Sequence, residues 1–458
     1  MEQFKGSLWK RPPPRDTSGK GADTWMALRR NVEGAEGLWR IHDKLYDFSK
    51  FIAGHPGGEE WLRVTQGTDI TEAFETHHIS PMPSRMLKRF EVREAKTERL
   101  PPYTFKPGGF YATLRGRVYG VLPEPEMRGI SVQTRLLADV VAFFLFTFAI
   151  LTASYQSFYL ALVGGTLLAM LTVASHNFFH LRDNWRRYYF DLSTMASSDW
   201  MISHAMSHHL YPNSLYDLEV SMFEPAFVRW LPEKKSLFVK IFPWIGSAFL
   251  YVVLFPSEPL RRALLKGFRK TDLIPLIIPL VMLRYAPEGH IISTLLLWVT
   301  IVLSGSFVFA VVGINAAHHH PEIFHDGDTP REDTDWGLAA LDTVRDRPGI
   351  SGVSGHLKSD SDGALKVVID STKSEDIASF VKVMFNFGHH SLHHLFPTID
   401  HWHLPKLYPV LEQTLNEFGI PFTTKSIASL VIGQFQQASR STPNPLPPKS
   451  IKIAPSKN

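Results

Sequence analysis

Apolar residues are segregated along this chain of 458 residues rather than spread through it. Residues 1–130 and those beyond about 318 are mainly polar, while the middle is rich in Leu, Phe, Val and Ile. Leu136 to Thr152 is apolar apart from Asp139, and Phe158 to Ser175 carries no charge. The short link between them cannot hold a domain, so the pair predicts a helical hairpin. A membrane-spanning helix needs about 20 apolar residues, a length both runs approach. Ile291 to Ala317 is the clearest uncharged run and predicts a further span. Two weaker runs, Ile241 to Pro256 and Leu273 to Leu283, lie in between.

Histidine adds chemistry to this pattern. Thirteen of the 21 histidines fall in four clusters: His176 and His180; His204, His208 and His209; His318, His319, His320 and His325; and His389, His390, His393 and His394. The first and third directly follow long uncharged runs. On an α-helix, residues i and i+4 project from one face. That pairs His176 with His180 and His204 with His208, and it keeps His390, His393 and His394 within about 100° of arc. By the same count His209 stands roughly 140° from His204.

An isolated histidine at a membrane boundary is usually just solvated, but the number and repeated ligand spacing here predict a metal centre. The chain has no cysteine, which leaves nitrogen and oxygen ligands only. No His-Glu-x-x-His motif occurs, no acidic residue lies within the clusters, and the imidazoles outnumber the three or four that one zinc ion takes. A net charge of +4 without a basic stripe gives no support to nucleic-acid binding.

Four clusters can share one centre only if the number of crossings between them is even. One weak run must then lie in the membrane interface. Pro243, Gly246 and Pro256 single out Ile241–Pro256, which they are expected to interrupt. Leu273–Ala286 is left to pair with Ile291–Ile314 as a second hairpin. This topology gathers Arg182, Arg186, Arg187, Lys234, Lys235, Arg261, Arg262, Arg269 and Lys270 on the side of the histidines, the cytosolic side by the positive-inside rule. Met1 to Arg40 has no apolar signal-peptide core, so the N-terminus is expected in the cytosol. The chain divides into a disordered tail (1–24), a soluble module (25–97), a proline-punctuated linker (98–130), a membrane domain (131–439) and a second disordered tail (440–458). Within the membrane domain, the polar stretch 326–380 is expected to be partly flexible.

In the soluble module, Trp39, Tyr46-Asp47-Phe48, His55-Pro56-Gly57-Gly58-Glu59-Glu60 and Asp69-Ile70-Thr71-Glu72-Ala73-Phe74 resemble the cytochrome b5 family. In that family two histidines clamp haem iron from opposite sides, giving an electron carrier with no open position for substrate. The resemblance implies an α+β domain holding haem b, with His55 as one axial ligand. The other is His77 or His78, and His78 has the spacing from His55 found in desaturase-fused members.

The membrane histidines resemble the histidine boxes of integral-membrane fatty acid desaturases: H-x3-4-H at His176–His180, H-x2-3-H-H at His204–His209 and a late [HQ]-x-x-H-H at His390–His394. Leu392-His393-His394-Leu395-Phe396-Pro397 is similar to the late box of members fused to cytochrome b5, and Asn315-Ala316-Ala317-His318 to the element after the last span. The whole arrangement resembles the insect-type cytochrome b5-related branch. Two features depart from the family pattern: the first box lacks the usual Asp-x-Gly filling, and His390 stands where front-end members have Gln.

The resemblance implies a mainly α fold of four transmembrane helices with a cytosolic helical cap. It also implies a di-iron site on His176, His180, His204, His208, His209, His318, His390, His393 and His394, with Asn315 holding a bridging water or supporting the ligands. His319, His320, His325 and His389 are additional. The implied reaction is O2-dependent desaturation of a fatty acyl lipid in the endoplasmic reticulum membrane, with NADH-cytochrome b5 reductase feeding the haem and both termini cytosolic. A lipid hydroxylase with the same site, or a haem carrier with a degenerate membrane domain, are the alternatives. Substrate would enter through an apolar tunnel; Phe178, Phe179, Trp200 and Phe387 are its candidate lining, with plain packing the simpler expectation.

Overall fold

The computed structural model describes residues 21–122, 124–127, 129–181, 184–314, 317–347, 355–359, 365–369, 384–385 and 388–448, with Trp9, Pro13 and Val381. Helix α1 (Ala22–Val32) leads into the hairpin β1 (Trp39–Ile41) and β2 (Lys44–Tyr46), and β3 (Glu91–Glu94) pairs antiparallel with β2. Between β2 and β3 lie α2 (Glu59–Thr65) and α3 (Thr71–His77). Trp39, Phe48, Leu62, Ile70 and Phe74 close a small core beneath these helices. The Trp39 indole N–H donates to the Leu62 carbonyl at 3.0 Å. Most of the tail expected at 1–24 lies outside the described residues; α1 starts within it at Ala22, and Trp9 is buried with its ring 5.1 Å from that of Tyr216.

The segment 98–130 is more than a linker. Its prolines bound rather than break α4 (Phe110–Val121), which buries Phe110, Tyr111, Leu114 and Val118 at helical spacing. The Ser131 hydroxyl then accepts the Thr134 N–H at the start of α5 (Val132–Tyr155), and the Ser157 hydroxyl the Leu160 N–H at the start of α6 (Phe158–Ser175), as N-caps do.

Helix α7 (Leu237–Leu265) is continuous, although Pro243, Gly246 and Pro256 were expected to interrupt that stretch. Neighbouring hydroxyls supply the missing bonds. Ser306 Oγ donates to the Tyr251 carbonyl at 2.6 Å and accepts the Phe255 N–H at 3.0 Å. Thr194 Oγ donates to the Phe255 carbonyl, which Pro259 cannot serve for lack of an N–H. Both ends of α7 bond to polar elements outside the helical bundle: Trp244 Nε1 donates to Ser439 at 2.9 Å, and Lys266 pairs with Asp199 at 3.1 Å.

A short α8 (Ile277–Arg284) and α9 (Ile291–Val308) form the expected second hairpin, with α8 packed on α5 and α9. The tips of the two hairpins meet, where Gln156 Nε2 donates to Thr294 at 2.8 Å and Ser293 donates to Gln156 Oε1 at 2.6 Å. Lower down, α6 and α9 touch backbone to backbone: a β-carbon on Gly165 would lie 2.7 Å from the Ile301 carbonyl and 2.9 Å from the Gly305 nitrogen. Helices α5, α6, α7 and α9 are each long and apolar enough to cross a membrane.

Opposite the tips sits a helical cap of α10 (Trp336–Asp342), α11 (His390–Leu395), α12 (Tyr408–Glu417) and α13 (Ile427–Ser439). Trp336, Leu395, Phe396, Leu404 and Leu411 form its core. Part of the stretch expected to be flexible is packed, since Asp335 caps α10 and Trp336 is buried. The presumed C-terminal tail also starts ordered: Arg440 pairs with Asp328 at 2.6 Å, and the Asn444 N–H donates to the same carboxylate at 2.7 Å. Cationic residues near the cap are tied in pairs, Arg186 with Asp139 and Arg187 with Glu60, each at 2.7 Å.

Candidate metal centre

Helix α6 tightens after Ser175 into a 3-10 turn, His176–Phe179, which delivers His176 and His180. The next cluster lies on a π-helix, Met201–His208, where the His209 N–H donates to the His204 carbonyl at 2.9 Å. A hydrogen bond spanning five residues instead of four overturns the α-helical expectation for His209. Its Nε2 lies 3.1 Å from His204 Nε2 rather than on the far side of the helix. Trp200 stacks on His204 from one side, ring centres 5.2 Å apart. On α11, His389 takes the left-handed conformation at the N-cap (φ 54°), and His390, His393 and His394 follow within two turns.

All nine imidazoles expected as ligands are buried and converge. One group holds His176, His180, His204, His209 and His393: the Nε2 atoms of His176 and His393 are 3.1 Å apart, and the His209 ring lies 4.2 Å from His180 and 4.6 Å from His393. The other holds His208, His318, His390 and His394, with His318 Nε2 at 3.0 Å from His208 Nε2 and 2.7 Å from His390 Nε2. His209 and His394 stack at 4.0 Å, planes 4° apart, and join the two groups.

The arrangement fits bound metal. Two nitrogens each about 2.1 Å from one ion, at a right angle, lie about 3.0 Å apart, the separation seen in these pairs. Both ring nitrogens of His180 and of His394 are buried without a hydrogen-bond partner, a costly state for polar groups that a cation relieves. Asn315 lies outside the described residues.

A further layer orients the rings. His204 Nδ1 is 2.8 Å from Glu219 Oε1, and His208 Nδ1 is 2.9 Å from Asp217 Oδ2. His318 Nδ1 donates to the Thr343 carbonyl at 2.9 Å, and His393 Nδ1 is 3.1 Å from His401 Nε2. Such partners fix the tautomer that presents Nε2 to a metal. Burial drives His180, His204, His209, His318 and His394 well below the usual imidazole range, into the neutral form a ligand needs. His208 differs: burial alone would lower it, but Glu219 and Asp217 outweigh that and hold it up at about 9. Sequence reasoning missed Asp217, Glu219 and His401. The signal available was the Asp217-Leu218-Glu219 pair of carboxylates just past the second box.

The haem module selects between its two candidate histidines. The His55 and His78 rings face each other with centres 6.2 Å apart. Iron–nitrogen bonds of about 2 Å on either side of one iron put two axial imidazole centres about 6 Å apart. Each Nδ1 is occupied, His55 by the Gly58 carbonyl at 2.8 Å and His78 by the Phe74 carbonyl at 2.9 Å, so each Nε2 is left for iron. Gly57 makes room for the His55 ring, because a β-carbon there would sit 2.9 Å from His55 Cε1.

Comparison with known proteins identifies two families along the chain. The family model described as fatty acid desaturase matches residues 153–426, more than half of the chain. The chain belongs to the fatty acid desaturase family. A cytochrome b5-like heme/steroid binding domain matches residues 23–96. The chain is 38% identical to the cytochrome b5-related protein of Drosophila melanogaster over 99% of its own length and 100% of that protein. It is 22% identical to a probable Delta(5) fatty acid desaturase C of Dictyostelium discoideum, covering 87% of this chain and 90% of the relative. An acyl-lipid (8-3)-desaturase of Mortierella alpina is 24% identical, with 88% and 93% covered. No solved structure matches.

The additional histidines of the third and fourth clusters stay outside the cage in this desaturase-family chain. His319 lies flat on Trp230 at 3.8 Å and contacts His325 Nε2 at 3.0 Å. His320 fills the space beside Gly433, where a β-carbon would collide with its ring at 2.2 Å. His389 packs on Tyr408 at 5.1 Å. Of the candidate tunnel residues, Phe178 is buried, Phe179 packs on Phe190 and Trp200 on His204, and Phe387 lies outside the described residues.

Proposed function

We propose that this desaturase-family membrane protein holds two irons in the nine-histidine cage and uses O2 to desaturate a fatty acyl lipid, with electrons relayed by its own haem module. The observation that carries this is the meeting of nine buried imidazoles from four distant segments, divided five and four; burial keeps eight of them neutral, while Glu219 and Asp217 hold His208 up. An iron pair held there supplies the O2-dependent oxidation that removes hydrogen from an unactivated alkyl chain. The protein's residues do the rest. Glu219, Asp217, Thr343 and His401 orient the ligand rings, Trp200 covers one flank, and the cap excludes water from the cage. The Mortierella relative is named for an acyl-lipid substrate, and the same class is inferred for this chain. NADH-cytochrome b5 reductase is the inferred electron donor. The cap and both termini are assigned to the cytosolic face of the endoplasmic reticulum, with α7 lying along the interface, as its bonds to polar elements at both ends favour.

The test is metal and lipid analysis of the full chain purified in nanodiscs. Two irons beyond the haem are expected, with an acyl product carrying one more double bond. His393→Ala should remove the product and lower the iron content while leaving the haem spectrum intact, and His55→Ala should do the reverse to the spectrum. Haem without further iron would instead mark a non-catalytic carrier. A hydroxylated product would mark a hydroxylase at the same site.

A further inference from the structure

The two adjacent histidines of the haem module point in different directions. His78 faces His55, whereas the His77 ring sits 6.0 Å from Trp61. His77 Nδ1 is taken by the Ala73 carbonyl at 2.9 Å and the Thr76 hydroxyl at 3.0 Å, which leaves Nε2 buried without a hydrogen-bond partner. Trp61, Val64 and Ala73 pack against the core that includes Ile202, Met206, Leu392 and Leu395, apolar residues within or next to the second and fourth boxes. Glu60 pairs with Arg187 at 2.7 Å, and the Tyr211 hydroxyl donates to Glu72 at 3.1 Å, so α2 and α3 are clamped onto the segments bearing the first two boxes. One face of the α2–α3 pair thus meets the haem site while the other packs on the apolar core shared with the segments of the second and fourth boxes.

We propose that His77, seated on Trp61, is the bridging residue through which the docked haem module delivers electrons to the cage; this rests on the iron-pair reading above. His77 is the covalent neighbour of an axial ligand and turns toward the metal side, so the route needs no swinging of the module. Each transfer moves one electron and no proton, and no bond is made or broken: ferrous haem becomes ferric, and one caged ferric ion becomes ferrous. A nicotinamide-dependent flavoprotein reductase restores the haem.

The test uses the full-length chain in nanodiscs, loaded with haem and iron. Under anaerobic conditions the haem is given one electron equivalent from NADH and a flavoprotein reductase, and its reoxidation is followed at the Soret band. Wild type should reoxidise at a rate independent of protein concentration. His77→Leu should slow that rate at least ten-fold, with haem spectrum, haem midpoint potential and iron content unchanged, and Trp61→Leu should slow it in the same way. Should His77→Leu fail to retain haem, Trp61→Leu decides alone. An undiminished rate in the variants, or a rate that scales with protein concentration, overturns the proposal. Wild-type haem that stays reduced beside a loaded cage, or a cage that takes no iron, overturns the iron-pair reading instead.

Discussion

Replacing Glu219 tests whether the carboxylates behind the cage set its hold on metal. Glu219 Oε1 accepts from His204 Nδ1 at 2.8 Å, and Oε2 stands 3.7 Å from His208 Nδ1, so one side chain reaches both groups of histidines. Glu219→Ala leaves the His204 N–H buried and unbonded, a loss of about 1–3 kcal/mol for such a group. Outer partners of metal-bound imidazoles are worth roughly 10–100-fold in metal affinity, or about 1.4–2.7 kcal/mol, so the two routes agree in size. Glu219→Gln keeps an oxygen acceptor and loses only the charge, and it should fall in the lower part of that range. The assay is a chelator titration of purified protein, with iron measured by mass spectrometry and normalised to haem by the Soret absorbance. Haem should not change, because Glu219 lies outside the haem module. If Glu219→Ala releases iron at the same chelator concentration as wild type, within two-fold, the carboxylate does not support the ligands and the reasoning fails.

Three further outcomes are expected. Burial raises Asp191 from 3.8 to about 7, so between about pH 4 and 7 the unfolded chain ionises this group while the native one does not. Its contribution to stability therefore falls as pH rises through that window, by up to about 4 kcal/mol; Asp191→Asn should flatten the pH dependence of thermal unfolding there and raise the melting temperature at pH 7. Gly165→Val drives a branched side chain into the backbone of α9 and should destabilise the bundle by about 1–3 kcal/mol, read by unfolding in detergent, with Gly165→Ala milder. Ser306→Ala strips α7 of a hydroxyl bonded to two of its backbone groups, at about 1–3 kcal/mol; an unchanged melting temperature would show that α7 closes those bonds by itself.

The sequence made some features legible and hid others, for identifiable reasons. Box histidines carry their spacing with them, so the convergence of nine rings was readable before any fold. That His78 rather than His77 faces His55 agrees with its spacing along the chain. The position of His209 was not readable, because the reading assumed an α-helix and nothing in Met201–His208 announces a π-turn; the register is set by what the rings meet in space. The continuity of α7 was hidden because proline rules describe a helix alone, whereas Ser306 and Thr194 come from other segments to complete it. Helix α4 was obscured by flanking prolines that mark its ends. Asp217 and Glu219 were in plain view but could not be assigned to His208 and His204 until the loop after the second box folded back.

The π-turn at Met201–His208 has an implication for how this protein can change. A hydrogen bond that spans five residues is rarer than the ordinary helical one and is seen mostly where function holds it in place. Removing one residue from Met201–His208 is expected to let the segment fall back to the usual repeat and swing the His209 ring away from His204. Among related chains, the length of this stretch would then be a sharper marker of an intact ring cluster than the number of histidines.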